Sequence, residues 1–291
     1  MATVAEAIGA EAEQKAVAEV DQASRQGRQP ARTPRVGAST PRVWVIEMDG
    51  VMVGMQGGGS DEVKVGVIYE LEKRVAISKG RWEWPEKQRG ASRDGVGDFR
   101  KKLWAMSVRM GVAEQGRLVV IGDGAEWIEP PVDLLLYQAT PIMDFSHTAA
   151  RIWAVAGARF GEGSNPCKEW AHKKLTALKG GEVERVIRAL NQLKMEKAGQ
   201  EAVRAEAVRY VKDHKSGMAY DEYKEESLPI GGGAIEGSCK YLVTARCKQA
   251  GMRWPPQGVK DILALRCWIL NERLDELRPS PQVVIDWARA A

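Results

Sequence analysis

The sequence predicts an α/β protein with a mixed five-stranded sheet flanked by helices, and with an all-α insertion before a late helix. Two observations predict the sheet. Short apolar runs alternate with segments of helical periodicity, and two of these runs lead into an aspartate followed by glycine. A third observation predicts the insertion, because residues 146–227 carry helical patterning without strand signals. Strands that alternate with helices favour a mixed α/β sheet over a sandwich.

The composition is that of a folded globular protein with a mildly basic charge balance. Of 291 residues, 44% are hydrophobic and 28% are charged, and the net charge is +4 with a pI near 8.8. This balance permits nucleic-acid binding without establishing it. The four cysteines lack CxxC spacing, so we expect neither zinc nor disulfides. Apolar runs stay below the roughly 18–20 residues of a membrane span, and the N-terminus lacks a secretory pattern. We therefore expect a cytoplasmic protein without membrane contact.

The first 41 residues predict a flexible N-terminal segment ahead of the core. Residues 1–25 are rich in Ala, Glu, Gln and Val, which predicts an isolated amphipathic helix. Residues 26–41 are rich in Arg, Pro, Gly and Ser without periodicity, as is typical of a solvated linker. The folded core is therefore expected to begin at residue 42.

Residues 42–145 form the first part of the predicted core. RVWVIEMDG (42–50) predicts a buried strand that ends in Asp49 and Gly50. Strands over 64–71 and about 74–78 would complete an antiparallel meander, followed by a polar loop (80–97) and a helix (98–114). RLVVIGDGAEWI (117–128) predicts a fourth strand that delivers Asp123 between two glycines, and residues 139–145 predict the fifth.

Residues 228–291 complete the predicted core and contain its most informative stretch. Three glycines precede a predicted helix in which Glu236 lies in the first turn, where the helix dipole favours negative charge. Lys240 follows one turn later on the same face. An amphipathic helix is expected over 258–277. The other face of the Glu236 helix carries an apolar stripe that should pack on the sheet: Ile235, Cys239, Leu242 and Val243.

Asp49, Asp123 and Glu236 form the candidate site. In open α/β sheets, functional groups gather beyond the carboxyl ends of strands, and a glycine beside each acid lets a large charged substrate approach the backbone. Three converging carboxylates repel one another unless cations neutralise them, and oxygen ligands suit Mg²⁺ or Mn²⁺. Two such ions about 3.5–4 Å apart promote phosphodiester chemistry. An Asp-Gly pair after a strand is also an ordinary turn, and an early helical Glu is also a common cap.

Five segments resemble DDE transposases of bacterial insertion sequences of the ISKra type, which have a ribonuclease H-like catalytic core. The resemblance covers roughly residues 42–278, and its last segment is the longest and most specific. The matching segments are MDGVMV (48–53), EVKVGVIYE (62–70), VIGDGAEWI (120–128), IMDFSH (142–147) and LPIGGGAIEGSCKYLVTARCKQAGMRW (228–254).

The resemblance implies a set of roles. Asp49, Asp123 and Glu236 would be the catalytic triad that binds two Mg²⁺ or Mn²⁺ ions, and Asp144 and His147 would match a supporting D-x-x-H motif. The implied chemistry is hydrolytic nicking at the ends of the element, followed by attack of the freed 3′-hydroxyl on target DNA without a covalent protein–DNA intermediate. The implied partner is DNA, bound by a homo-oligomer.

The chain departs from the family pattern in two places. Three glycines (231–233) stand where relatives have Gly-Ser-Gly, which preserves the backbone shape and removes a hydroxyl. Relatives also carry a sizeable N-terminal DNA-binding region, and residues 1–41 stand in its place here. Two alternatives stay open: a catalytically silent, truncated transposase that binds DNA or regulates an intact one, and a structure-selective nuclease of the same superfamily.

Basic residues after Glu236 predict contacts with DNA. Lys240 is expected to hold a backbone phosphate, while an ordinary solvated face is the alternative for the other three cations. Trp254 either stacks on an unpaired base or packs in the core. The three further cations are Arg246, Lys248 and Arg253.

Other site classes find little support in the sequence. The glycines at 57–59 and 231–233 do not form a nucleotide-binding motif, so we expect no nucleotide cofactor. There is no G-x-S-x-G motif for a nucleophilic serine. His172 and His214 lie in polar helical surroundings, and we expect both to be exposed.

Overall fold

A computed structural model describes residues 4–25, 42–79, 81–112, 116–128 and 139–277. The chain divides into two compact units, which are described separately. The first contains the described residues up to Val119, Ala139, and those from Gly233 onward; the second contains residues 120–128 and 140–232. The described strands are β1 (Val43–Gly54), β2 (Ser60–Glu70), β3 (Val75–Ser78), β4 (Arg81–Glu83), β5 (Gln88–Ser92), β6 (Arg117–Gly122) and β7 (Thr140–Met143).

The described helices are mostly short to medium in length, and one of them continues as a π-helix. The first five are α1 (Val4–Arg25), α2 (Val96–Met110), α3 (Phe145–Phe160), α4 (Asn165–Lys179) and α5 (Val183–Gln192). The others are α6 (Ala198–Asp213), α7 (Tyr220–Glu225), α8 (Gly233–Ser238), the π-helix (Cys239–Thr244), α9 (Ala245–Cys247) and α10 (Pro256–Leu270). Short 3-10 helices occupy Leu71–Lys73, Lys215–Gly217 and Leu274–Glu276.

Five of the described strands form one mixed sheet in the order β5-β2-β1-β6-β7. β1 lies at its centre and pairs with β2 in antiparallel register, with Trp44 opposite Glu70 and Gly54 opposite Ser60. β2 pairs with β5, also antiparallel. The α/β class and the five-stranded mixed sheet flanked by helices are confirmed.

The strand that carries Asp49 continues past the predicted end. β1 runs through Asp49 and Gly50 to Gly54, and Asp49 lies opposite Val65 in the ladder. The chain reverses instead at Gly57, Gly58 and Gly59, whose φ angles are 85°, 104° and 74°. Positive φ is readily available to glycine, which explains why this triplet and not Asp49-Gly50 forms the turn. The prediction of a strand end at Asp49 is wrong.

The third strand of the main sheet is β5, not the strand predicted at residues 74–78. β3 pairs with β4 in a separate two-stranded sheet. β5 lies in the segment that the sequence analysis took for a polar loop (80–97). An edge strand needs little apolar character, and the buried residues of β5 are only Ala91 and Ser92, so its pattern carries almost no strand signal.

Helix α1 packs within the first unit. The prediction of an isolated helix in a flexible segment is therefore wrong for residues 4–25. Its Ala12 lies in an apolar cluster with Ala264, Trp268 and Leu277, and its Ala12 carbonyl accepts a hydrogen bond from the Trp268 indole at 3.2 Å. Lys102 on α2 pairs with Glu13 at 2.7 Å. Residues 26–41, predicted to be a linker, lie outside the described residues.

The second unit contains the predicted helical stretch. Helices α3 to α7 occupy most of residues 145–225, in agreement with the helical patterning of that segment. Tyr220 on α7 is fully buried, and its hydroxyl donates to the Met143 carbonyl of β7 at 2.9 Å. Thr148 on α3 lies 3.3 Å from the same hydroxyl. These contacts fix α3 and α7 beside β7.

The length and polarity of the helices bear on membrane contact. Throughout the described ranges, every helix is too short or too polar to cross a bilayer. All four cysteines lie in these ranges, and each is a free thiol.

We predict that Gly9→Ala loosens α1. A Cβ at Gly9 would lie 2.7 Å from the Asp261 carbonyl oxygen on α10, so the helices must separate. We expect a loss of about 1–3 kcal/mol of unfolding free energy from overpacking, partly offset by a helix-propensity gain of up to about 1 kcal/mol. Denaturant unfolding and amide exchange of α1 measure the effect.

Gly97→Ala is the matched control for this change. Gly97 also lies in a helix, and a Cβ there would meet no described atom within 4 Å. The control should be neutral or stabilising. Equal stability of the two variants would show that α1 does not pack closely on α10.

Candidate active site

The Glu236 helix buries one face and exposes the other, as predicted. Ile235, Cys239, Leu242 and Val243 are buried, whereas Glu236 and Lys240 are exposed. A Cβ added at Gly233 or Gly237 would meet no described atom within 4 Å. The described backbone on either side of Glu236 is therefore not covered by neighbouring side chains.

A buried acid, Glu47, fixes this helix to the sheet. One carboxylate oxygen accepts a hydrogen bond from the Ile235 backbone N–H at 2.6 Å, and the other accepts one from the Tyr69 hydroxyl at 2.6 Å. Glu47 is 1% exposed, and a buried carboxylate is tolerated only when it is hydrogen-bonded. Burial and the Glu47 carboxylate together raise the pKa of Tyr69 well above its usual value. Glu47 thus links β1, β2 and α8.

Asp49 lies on the same face of β1 as Glu47, because alternate residues of a strand share a face. Its Oδ1 accepts from the Gly50 N–H at 2.7 Å, and its Oδ2 lies 3.8 Å from the Cys239 sulfur, which donates to it. Ile235 and Cys239 are four helical residues apart, about 6.0 Å of rise, and Glu47 and Asp49 are about 6.6 Å apart along the strand. The helical segment therefore runs along β1 in the same direction.

The electrostatics of the Cys239 thiol report which acids gather around it. Burial raises the pKa of Cys239 most, followed by the Asp49 carboxylate, then by Glu236 and Glu47. Each carboxylate disfavours the thiolate because like charges repel. Asp49 is in contact with the Cys239 sulfur, and Glu236 lies close enough for its charge to act on the thiol.

Asp123 belongs to the second unit and follows β6 directly. Its Oδ1 accepts from the Ala125 N–H at 3.0 Å, which forms a local turn. Its backbone carbonyl accepts from the hydroxyl of Tyr210 on α6 at 2.7 Å. Burial raises the pKa of Tyr210, and the Asp123 charge adds to that rise. The helical insertion thus holds the backbone of this acid in place.

His214 packs against the loop that carries Asp123, and the prediction that it is solvent-exposed is wrong. The side chain is half-buried, and its Nδ1 lies 2.8 Å from the Tyr210 carbonyl. Since a carbonyl only accepts, Nδ1 carries the proton. A Cβ at Gly124, whose φ is 82°, would lie 2.8 Å from His214 Nε2. Glycine is required at this position by both its backbone angle and its neighbour.

Asp144, the first residue of the D-x-x-H motif, has a structural role at the start of α3. It is buried at the start of α3, where its Oδ1 accepts from the Ser146 N–H at 2.6 Å as an N-cap. Its Oδ2 accepts from the Gly232 N–H at 2.7 Å. His147 lies one turn further on and is exposed. Asp144 therefore holds the glycine segment that leads into α8.

The π-helix after α8 is held by a cation. In a π-helix each N–H bonds five residues back, so fewer carbonyls are satisfied within it than in an α-helix of equal length. Arg266 on α10 donates from Nε to the Leu242 carbonyl at 2.9 Å and from Nη2 to the Tyr241 carbonyl. Burial lowers the pKa of Arg266, and the nearby Arg246 lowers it further.

The predicted DNA-binding residues differ in exposure. Lys240, Arg246, Lys248 and Arg253 are all exposed, and Arg253 also donates to the Gly59 carbonyl at 3.2 Å. Trp254 is half-buried, and its backbone bonds to the end of β1 through Gly54 and Gln56. Its indole nitrogen is buried without a described partner. The main chain of Trp254 is therefore fixed beside the end of β1.

The donor chemistry of the site suits a divalent cation, although the described residues do not assemble a complete set. Asp49 and Glu236 provide carboxylate oxygens, which Mg²⁺ and Mn²⁺ prefer. Within the described ranges, no group of three or more His, Cys, Asp or Glu side chains is arranged to hold a metal ion. Asp123 is the further carboxylate that the sequence predicts for this site.

Comparison with known protein families shows which family the chain belongs to. Residues 2–275 match the uncharacterised protein family UPF0236. The chain belongs to UPF0236. No match to a curated protein was found.

Several residues that shape the site of this UPF0236 protein were missed from sequence alone. Glu47 had a detectable signal, because an acid within the apolar run VWVIEM is unusual unless it is paired. Tyr210 and Arg266 lie on helices and His214 directly follows one, where a polar residue at the boundary of the buried face is common. Their partners are backbone carbonyls, which no side-chain pattern reveals.

We predict that Glu47→Leu destabilises the protein by about 2–4 kcal/mol, because two buried donors lose their acceptor. Glu47→Gln should lose about 1 kcal/mol, since its amide oxygen still accepts from Ile235 and its NH₂ donates to a rotated Tyr69 hydroxyl. Glu169→Gln, an exposed change on α4, is the control. Denaturant unfolding measures all three. If Glu47→Leu were as stable as the wild type, Glu47 would not be the residue that links β1, β2 and α8.

We predict that Gly124→Ala loses at least 1 kcal/mol more than Gly163→Ala, by denaturant unfolding. Both glycines have positive φ, 82° and 75°, so both variants carry about 1–2 kcal/mol of backbone strain. Only Gly124 also meets His214. His214→Ala in the Gly124→Ala background should recover part of the difference. Equal losses at the two glycines would contradict the packing of His214 on this loop.

Proposed function

We propose that this chain is the catalytic domain of a DDE transposase of an insertion sequence, with a ribonuclease H-like core. It performs metal-dependent phosphodiester hydrolysis and DNA strand transfer at the ends of the element. The observation that carries the proposal is the contact of the Asp49 carboxylate, on the central strand, with Cys239 on the helical run whose first turn carries the exposed Glu236. A strand acid packed against a helical run that carries a second acid is an arrangement suited to a cation.

The sheet supports the ribonuclease H-like assignment. Its first three strands, β1, β2 and β5, form an antiparallel meander, and β1 is central with β6 as its other neighbour. Asp49 lies in β1, and Asp123 follows β6 at once. The proposal requires the Asp123 carboxylate to join Asp49 and Glu236 when metal and DNA are bound.

Each residue has a distinct role under this proposal. Asp49, Asp123 and Glu236 hold two Mg²⁺ or Mn²⁺ ions, which when bound activate the attacking oxygen and stabilise the leaving oxygen. Lys240, one turn from Glu236, binds a backbone phosphate, and Arg246, Lys248 and Arg253 position the DNA without reading sequence. The glycines at 233 and 237 leave the backbone beside Glu236 uncovered, which favours close approach of the DNA.

The supporting residues act by positioning. Asp144 accepts hydrogen bonds with both oxygens and so fixes the glycines before α8. His147, exposed one turn later, is proposed to support the site from this edge. The partners are the transposon ends and target DNA, bound in the cytoplasm by a homo-oligomer.

We predict that Asp49→Asn, Asp123→Asn and Glu236→Gln each reduce Mn²⁺-dependent nicking of labelled DNA that carries the element's ends by at least about 100-fold. Loss of a group that hydrogen-bonds to a metal ligand typically lowers activity by about 10–100-fold, and loss of the ligand itself should lower it further. Folding, by circular dichroism, and DNA affinity should change little. Asp213→Asn and Glu169→Gln alter exposed acids elsewhere and are the controls.

The outcomes separate the alternatives. Metal-dependent nicking lost in the three variants and retained in the controls supports the triad. Nicking of branched DNA without joining in a strand-transfer assay would favour a structure-selective nuclease. DNA binding without nicking would favour a silent remnant, and nicking unaffected by the three substitutions would refute the assignment of the site.

A further inference from the structure

We propose that Tyr241 is a stacking platform for an unpaired DNA base beside the scissile phosphate. The proposal rests on the proposed DNA chemistry, and it adds a substrate feature: the strand next to the cleavage point has at least one base out of the duplex. Tyr241 is 59% exposed, although it lies between Lys240 and the fully buried Leu242.

The ring lies next to a cation of the proposed site. Tyr241 is in the π-helix that follows α8 and comes directly after Lys240 in the chain. Lys240 lies one turn after Glu236, and under the proposed function it binds a backbone phosphate. Tyr241 is therefore an exposed aromatic next to a residue that is proposed to hold the DNA backbone.

Two contacts hold Tyr241 in place, one at its backbone and one at its ring. Arg266 donates a hydrogen bond to the Tyr241 carbonyl, which anchors its backbone to α10. The Lys240 ammonium lies 5.8 Å from the ring centroid, within cation–π range. The exposed part of the ring is where a base stacks. An aromatic anchored in this way loses little further freedom on binding.

The charges around the ring favour nucleic acid over another occupant. Lys240, Arg246 and Lys248 are exposed cations in or directly after the same helical run. Proteins that bind single strands combine cations that follow the backbone with aromatic rings that stack on bases. Trp254, the aromatic that the sequence suggested for this role, is half-buried and bonded to β1. Tyr241 has the exposure that Trp254 lacks.

The test measures binding without catalysis. Fluorescence anisotropy in EDTA compares a blunt duplex of the element's end with the same duplex forked to leave unpaired bases at the cleavage point. Stacking of one base is worth about 1–3 kcal/mol, a factor of about 5–150 in affinity. Tyr241→Ala should lose affinity for the forked DNA within that range and change affinity for the blunt duplex less than about twofold. Tyr241→Phe should bind both like the wild type.

Trp82→Ala is the matched control, because Trp82 is another exposed aromatic, 48% exposed, on the β3–β4 hairpin. It should leave both affinities unchanged. A 5-iododeoxyuridine at the unpaired position should crosslink to Tyr241 on irradiation, mapped by mass spectrometry. Equal losses on forked and blunt DNA, no loss on either, or a wild-type protein without preference for the fork would overturn the proposal.

The result is separable from that of the proposed function. Tyr241-dependent binding of forked DNA by a protein that never nicks would refute the transposase chemistry and keep the stacking platform. Nicking that depends on the triad, together with unchanged DNA binding in Tyr241→Ala, would support the transposase chemistry and refute the stacking platform.

Discussion

The candidate site depends on the buried carboxylate of Glu47. Its two hydrogen bonds join three elements: β1, which carries it, β2 through the Tyr69 hydroxyl, and α8 through the Ile235 N–H. A carboxylate in this environment has to keep both partners, because each unpaired buried group costs about 1–3 kcal/mol. The hydrogen bonds of Glu47 fix the position of α8 along β1. They thereby set the distance between Asp49, two residues further on the strand, and Glu236, one residue further on the helix.

The π-helix adds a second constraint to the same run. It keeps Leu242 and Val243 buried while Lys240 and Tyr241 stay exposed. An α-helix of the same sequence would turn the side chains after Cys239 by a different angle, and the two carbonyls held by Arg266 would bond within the helix. Arg266 on α10, later in the chain, therefore contributes to the stability of the π form. π-helical turns occur frequently at functional sites, in keeping with the position of this one beside Glu236.

The sequence predicted elements with strong periodicity and missed features that depend on tertiary partners. The helix with Glu236 and Lys240 on its open face could be predicted because its buried stripe repeats at helical spacing. The continuation of β1 through Asp49 could not be predicted from the sequence. An Asp-Gly pair is typical of a turn, and only the structure shows that the chain turns instead at three later glycines with positive φ. β5 was missed because an edge strand needs few apolar residues. His214 was misjudged because its neighbour is Gly124, which has no side chain to leave a pattern.

The central claim is that Asp49, Asp123 and Glu236 hold the same cations, and one measurement tests it without cleavage of DNA. Fe²⁺ can replace Mg²⁺ at oxygen ligands, and with ascorbate and peroxide it cuts the polypeptide backbone close to where it is bound. The account predicts three groups of cuts, near residues 49, 123 and 236, that disappear together when excess Mg²⁺ is added or when Asp49→Asn is used. Cuts near 49 and 236 without any near 123, or cuts that Mg²⁺ does not suppress, would contradict the account.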